Sequence, residues 1–297
     1  MQATADLKSQ VRAVEVSGLQ QYSLEIGSAD IGLLERYAEL IPSGTGIFLN
    51  VMSGERLEDR VRACARISTL GFVPVPHIAA TRLGSEDELA GSLRHLMAGG
   101  FARDFLVVSG DAKPIGPYGD SVELVDWIVA NGVPVRRLGV TGYPDGHPYR
   151  SGQELADSLS SKLERIATSA ITPFVVLQFS FDAAAIVQWC RDFHAIHPDV
   201  MVCCGVPGPA KLTTLIRFAQ RCGVRSSLAR LLSSPLSGGL KMVQRVPPTE
   251  QVRAIAGYRQ AVNPNVAAHF FSFGGLQATL DFIGQQDYRS IRSGATQ

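Results

Sequence analysis

Long hydrophobic runs are missing from this sequence. No stretch reaches the ~18 to 20 uninterrupted apolar residues that a membrane helix needs, because Arg, Asp, Gly or Pro interrupts every one. The opening residues, MQATADLKSQVRAVEV, place Asp6, Lys8 and Arg12 where a secretion signal would need a continuous apolar core, so a cytoplasmic protein is expected. An excess of charge is missing too. With 28 Lys and Arg against 27 Asp and Glu, the net charge of +1 gives no electrostatic reason to expect nucleic acid or an anionic membrane as partner.

Cysteine is sparse. Cys64, Cys190, Cys203, Cys204 and Cys222 include no CxxC and no histidine at zinc-ligand spacing, so buried free thiols and no metal site are expected. The chain also lacks GxSxG and HExxH motifs, and no lysine projects from the end of an apolar run, which argues against a serine nucleophile, zinc hydrolysis and a Schiff base. GxGxxG and Walker loops are absent, leaving backbone amides and helix starts as the means of holding any phosphate-bearing cofactor.

What is present is one signal repeated eight times: a short β-rich apolar run, a turn, then apolar residues at helical spacing. Strands are predicted at 22–27, 46–52, 72–80, 104–111, 136–144, 172–181, 200–207 and 265–274. Helices are predicted at 30–40, 56–70, 86–98, 121–130, 153–169, 183–193, 212–221 and 276–285. Eight strand–helix units without a linker or composition shift predict an α/β protein, a (β/α)8 TIM barrel occupying 1–297 as a single domain. The surplus length is an N-terminal extension and an insertion at 224–262, which carries an extra helix at 249–262 before the last strand.

Chemistry in such barrels sits at the carboxyl ends of strands. The polar residues there are Glu25, Asn50, His77, Asp111, Tyr143 with His147, and Gln178, followed by a Gly/Pro turn at 205–208. Glu25, within the apolar run YSLEIG, is expected to lie in the mouth with its pKa raised by burial, as a general acid, against the plainer reading of a carboxylate satisfied by an arginine. His77 is open between ligand contact and a bond to a neighbouring carbonyl. Lys162 and Arg150, with Tyr118, Gly119 and His147, could line an elongated anionic ligand. His194 and His197 are expected on a solvated helix end, and the mixed charges of 54–62 on a solvated helix face.

The order of these residues resembles a known family. Glu25, PH at 76–77, GD at 110–111, YPDGHP at 143–148, LSSK at 159–162, LQFSFD at 177–182 and the turn at 205–209 together are similar to methylenetetrahydrofolate reductase, over roughly residues 22–285. The resemblance implies a flavoprotein, with FAD as cofactor, that interconverts 5,10-methylenetetrahydrofolate and 5-methyltetrahydrofolate. NADH or NADPH would usually be the electron donor, and one-carbon metabolism and methionine biosynthesis the setting. It implies Glu25 as the general acid that opens the folate's five-membered ring, Asp111 as the carboxylate facing the cationic iminium and the flavin, and Gln178, Asn50 and Leu212 at the substrate. His77, Ser109, Gly110, Asp111, Tyr118, Gly119, Tyr143, His147 and Lys162 fall at flavin positions.

Four positions depart from the family pattern: Ser109 for an arginine, Asn50 for a threonine, Leu212 for a phenylalanine, and Gly275 for an arginine that holds the folate's glutamate tail. Two alternatives stay open on the same fold. One is a flavin-independent, nicotinamide-dependent folate reductase. The other is a non-catalytic folate- or flavin-binding partner of a methyltransferase. A small-molecule partner is expected, and a homo-oligomer is compatible with the sequence.

Overall fold

The computed structural model describes residues 22–52, 54–224, 226–233 and 245–293. The predicted N-terminal extension lies outside the described residues, as does most of the 224–244 part of the insertion.

All eight predicted barrel strands form. They are β1 (Tyr22–Ile26), β2 (Gly46–Leu49), β3 (Val73–Ala79), β4 (Asp104–Val108), β5 (Arg137–Gly142), β6 (Thr172–Leu177), β7 (Met201–Pro207) and, as the eighth, β10 (Val266–Phe271). They close in the order β1-β10-β7-β6-β5-β4-β3-β2, every pair parallel. Between β7 and β10 runs a two-stranded antiparallel ribbon, β8 (Ala210–Lys211) with β9 (Arg245–Val246).

Among the described residues ten α-helices accompany them: α1 (Ile31–Arg36), α2 (Leu57–Thr69), α3 (Glu86–Met97), α4 (Ser121–Ala130), α5 (Gly152–Ala167), α6 (Ala183–His194), α7 (Leu212–Cys222), α8 (Ser226–Ser233), α9 (Thr249–Ala261) and α10 (Leu276–Ser293). Their ends follow capping chemistry. The Ser85 hydroxyl accepts the Glu88 N–H at 3.1 Å before α3, and Ser151 with Glu154 closes a reciprocal box before α5. The predicted helix at 30–40 is instead broken into 3-10, α and 3-10 turns. Helix α8 and the β8–β9 ribbon were not legible in the sequence. No helix among the described residues is long and apolar enough to cross a membrane.

Alternation along each strand sends one face to the helices and the other into the barrel. Outward residues such as Leu24, Ile47, Phe105, Val140, Val175 and Phe270 are buried against helix stripes such as Leu89, Leu93 and Leu96 of α3. Inward residues Phe48, Val75, Leu106, Phe174 and Val176 make a separate plug, with Phe48 and Phe174 edge to face at 6.1 Å. Gly139 is required there, since a Cβ would sit 2.4 Å from the Phe174 ring.

At the amino-terminal end of the barrel, Asp104 is fully buried and takes Arg136 Nε at 2.8 Å and Arg137 Nε at 2.9 Å, with a further bond from each guanidinium. Two polar expectations fail in the same way. His194 is buried rather than solvated, bonded to the Tyr258 hydroxyl at 3.2 Å and to the Val200 carbonyl at 3.1 Å. Arg60, within the 54–62 charge run, is buried and donates to the His77 carbonyl at 2.5 Å. In both cases the polar tip finds a partner inside the helix–strand layer.

Candidate functional site

Above the apolar plug the inward positions become polar. Two residues beyond Val75 on β3 stands His77. On β1 the inward pair is Ser23 and Glu25, and on β10 it is His269. Parallel register sets Ser23 beside His269 and Glu25 beside Phe48 and Phe271. The carboxylate therefore rises from an apolar floor with an imidazole on either side: Glu25 Oε2 is 3.5 Å from His269 Nε2 and 3.7 Å from His77 Nε2. Phe48 packs its edge against both rings, 4.6 Å from His269 and 6.1 Å from His77.

These partners reverse the expected titration of Glu25. Burial pushes its carboxyl up, but the hydrogen bond from His269, the favourable electrostatics of the His77 and His269 imidazoles and a bond from Asn50 outweigh it, so the group is held below the usual carboxylate range. His77 goes the opposite way from a cation partner. Burial, with His269 and Arg60 nearby, pulls it down to about 4 in spite of Glu25, so it is a neutral imidazole at neutral pH. Two buried atoms of this group make no hydrogen bond, His77 Nε2 and Asn50 Oδ1. Unsatisfied polar atoms beside a buried carboxylate are costly in a closed core and are expected where a ligand completes them.

His269 is the residue that the reading of strand ends missed. Its signal was present, an imidazole in the apolar run VAAHFF, but it stands two positions inside the strand end and is fully buried.

Asp111 does not share this pocket on equal terms. Its side chain is 55% exposed and binds Arg82 NH2 at 2.8 Å and Arg221 NH2 at 3.3 Å. Those two guanidiniums overcome its slight burial and hold its carboxyl low. The carboxylate expected to face a cationic intermediate is thus already balanced by cations of the rim. Between rim and floor lies Cys222, whose thiol burial pushes up to about 11, with Arg221 opposing and both Glu25 and Asp111 adding to the rise. Gln178 is half-buried and folds its Oε1 back on the Phe179 N–H at 3.0 Å. Leu212 is buried at the start of α7.

The expected cofactor positions divide into two sets. Gly110 and Gly119 are committed to local structure, whereas Tyr118 packs its ring but keeps a buried hydroxyl without a hydrogen-bond partner among the described residues. Gly110 has φ +104° and a Cβ there would meet Thr81 Oγ1 at 2.2 Å, Tyr118 lies in the outer core, and the Gly119 N–H is taken by Glu123. The second set is better placed. Tyr143 and His147 meet edge to face at 5.4 Å. Lys162 is buried, donates to Ser121 Oγ at 3.2 Å and is pulled down to about 8 by burial and Arg150, against Asp120. Ser109 Oγ accepts the Ser121 N–H, and Arg150 pairs with Asp120 at 3.5 Å. No group of three or more His, Cys, Asp or Glu among the described residues is arranged to hold a metal ion.

No family model matches the sequence. Among solved structures, the chain is similar to an uncharacterized protein from Clostridium thermocellum that binds two copies of 5-methyl-5,6,7,8-tetrahydrofolic acid. The identity is 10% over 93% of this chain and 98% of that one, with a TM-score of 0.61. It is also similar to a type I 3-dehydroquinate dehydratase from Clostridium difficile, at 10% identity over 92% of each chain and a TM-score of 0.48. A third likeness is to a probable 3-DHS dehydratase from Bacillus anthracis, at 13% identity over 90% of this chain and 97% of that one, with a TM-score of 0.46. At such identities, what the first likeness establishes is the shared fold: this chain is a (β/α)8 barrel.

Proposed function

We propose that the barrel binds a reduced folate in its mouth and interconverts 5-methyltetrahydrofolate and 5,10-methylenetetrahydrofolate, as in the methylenetetrahydrofolate reductase type. The observation that carries this reading is the largely enclosed Glu25 carboxylate beside two unsatisfied atoms, His77 Nε2 and Asn50 Oδ1, at the end of the barrel where such folds do chemistry. The structural likeness to a methyltetrahydrofolate-binding barrel supports it.

In the oxidative direction the N5 methyl group gives up a hydride to an acceptor and becomes an N5 iminium. N10 then adds to the iminium carbon, and the proton that N10 loses passes to Glu25. Reduction runs the same steps in reverse, with Glu25 returning the proton. A carboxylate held in its ionised form suits the base role at neutral pH, and its charge favours the cationic intermediate.

FAD is the hydride carrier that the resemblance implies, and when bound it would supply the two-electron acceptor. The residues available for it are Tyr143, His147 and His77 at ring faces, and Lys162 with Arg150 toward phosphate. A second reading, with direct hydride exchange to a nicotinamide, is favoured by one specific observation: Gly110 and Gly119 are used up in packing and capping.

The test is the absorbance spectrum of purified protein followed by anaerobic addition of 5-methyltetrahydrofolate. Bleaching of a flavin spectrum supports the FAD route, and colourless protein that turns over folate with NAD or NADP supports the nicotinamide route. Folate binding without turnover by either route leaves a binding subunit. Protein that binds no reduced folate ends the proposal.

A further inference from the structure

One step above Glu25, three neighbouring strand ends present polar atoms that the fold leaves unused. Register sets Ile26 of β1 beside Leu49 of β2, and Leu49 beside Pro76 of β3, so the next positions, Gly27, Asn50 and His77, stand side by side. The Asn50 N–H continues the ladder onto the Ile26 carbonyl at 3.1 Å, and Gly27 keeps extended backbone at φ −93° and ψ 163°. Because Gly27 brings no side chain to its inward position, the space over Glu25 stays open on that side. A Cβ there would stand 3.6 Å from Asn50 Oδ1.

Unsatisfied polarity is concentrated on this arc. Among the described residues Asn50 Oδ1 and His77 Nε2 are buried without a hydrogen-bond partner, and so are Ser28 Oγ and Thr81 Oγ1, in the turns that follow β1 and β3. The neighbouring Asp30 carboxylate accepts the Gly27 N–H at 3.0 Å. Across the mouth, after β6, Gln178 instead satisfies its oxygen on the Phe179 N–H.

The carboxylate beneath decides what each atom can do. An ionised carboxylate only accepts, so the Asn50 amide turns its NH2 toward Glu25, and Oδ1 on its other side is left as an acceptor and nothing else. For His77 Nε2, 3.7 Å from Glu25 Oε2, the hydrogen belongs on Nε2 for the same reason, which makes it a donor. An acceptor beside a donor is the complement of an amide group, N–H next to C=O. A carboxamide on a single rotatable bond reaches both without moving the ring that carries it, whereas an amide fused into a ring must bring the whole ring to this edge.

We propose that Asn50 is a specificity-determining residue for the hydride-exchange partner: its Oδ1 accepts the N–H of a nicotinamide carboxamide whose oxygen turns toward His77 Nε2. This deepens the nicotinamide form of the function proposed above and rests on it for the identity of the ligand. The consequence is a site that rejects a ligand of the same shape lacking that N–H, since a buried acceptor would then stay unpaired.

The experiment measures binding by calorimetry on the full chain at about pH 8, where Glu25 is ionised. The probes are NADH or NADPH, whichever binds the tighter, the 3-acetylpyridine analogue of the same dinucleotide, and 5-methyltetrahydrofolate. The analogue keeps the C=O and replaces the NH2 by a methyl group. Wild type is expected to bind the analogue about tenfold more weakly than the parent. Asn50→Ala should bind the parent about tenfold more weakly than wild type does, and the analogue within about threefold, so that the preference disappears. Its affinity for 5-methyltetrahydrofolate should stay within about threefold of wild type.

If Asn50→Ala does not fold, Asn50→Ser takes its place, and the two dinucleotides on wild type carry the first half of the test alone. An analogue that binds wild type as tightly as the parent overturns the proposal. A preference that persists in the variant also overturns it, while the nicotinamide reading stands. Loss of 5-methyltetrahydrofolate binding with the dinucleotides unmoved overturns it in favour of the pterin. Wild type that binds neither dinucleotide removes the nicotinamide reading itself, and the proposal with it.

Discussion

Two carboxylates stand at opposite ends of this barrel, one fully buried and one 14% exposed at the side chain, and their surroundings differ in kind. Asp104, at the amino-terminal end, is met by two guanidiniums through four hydrogen bonds, none longer than 2.9 Å. Glu25, at the carboxyl-terminal end, is met by two imidazoles at 3.5 and 3.7 Å and by Asn50, with two nearby atoms left unbonded. Both carboxyls are held low against their burial. One site is closed on itself and can only add stability. The other is incomplete without something more, which is how a site for chemistry differs from a structural ion pair.

The largest expected effect tests that division directly. Asp104→Asn should destabilise the fold by about 3 kcal/mol, toward the low end for a broken buried pair because Arg136 and Arg137 remain 59% and 43% exposed and can return to water. Denaturant unfolding measures it. Glu25→Gln, by contrast, should change stability by less than about 1 kcal/mol, since it removes a buried charge that is only loosely paired. Its effect should be a loss of turnover of about two orders of magnitude with folate binding retained. Equal losses of stability in the two variants would erase the distinction.

A second test uses pH. The His77 ring titrates at about 4 in the folded protein against 6.5 when free. Between those values the unfolded state takes up more protons, so stability is full above about pH 6.5 and falls toward pH 4 by at most about 1.4 kcal/mol per pH unit. His77→Gln should flatten that limb in a thermal-melt series. Unfolding that depends on pH only below 4 in wild type would mean that His77 is not held neutral.

The smallest effect belongs to the rim. Arg221 and Asp111 are 61% and 55% exposed at the side chain, so Arg221→Ala should shift Tm by about 2 °C or less, and less still at high salt. A larger shift would make the rim a structural clasp rather than a solvated border.

Much of this was legible before any coordinates. Strand and helix periodicity located all eight barrel strands, because alternation and helical spacing are local properties of the chain. Glu25, His77 and Asn50 stood out as polar residues at apolar strand ends, and they do meet in the mouth. His269 escaped because it lies deeper in its strand, where an imidazole reads as core until its neighbours are known. The arginine partners of Asp111 were not legible because sequence shows where a strand ends but not which arginines from other elements reach its loop, and Arg221 lies 110 positions away. Arg60 reads as surface because its sequence neighbours are charged, and His194 because it stands at a helix end, while burial depends on a single rotamer finding one carbonyl or hydroxyl.

By itself, then, the sequence determined the barrel and put a carboxylate at its mouth, since hydrophobic period and turn chemistry act over a few residues. Only the tertiary structure decided what that carboxylate is. Closing β1 against β10 sets Ser23 beside His269 across 246 positions of chain, and the imidazole so placed lowers the proton affinity of Glu25 that burial alone would raise. Proton affinity depends on charges and dipoles within a few ångströms, and those come from whichever strands the barrel brings together.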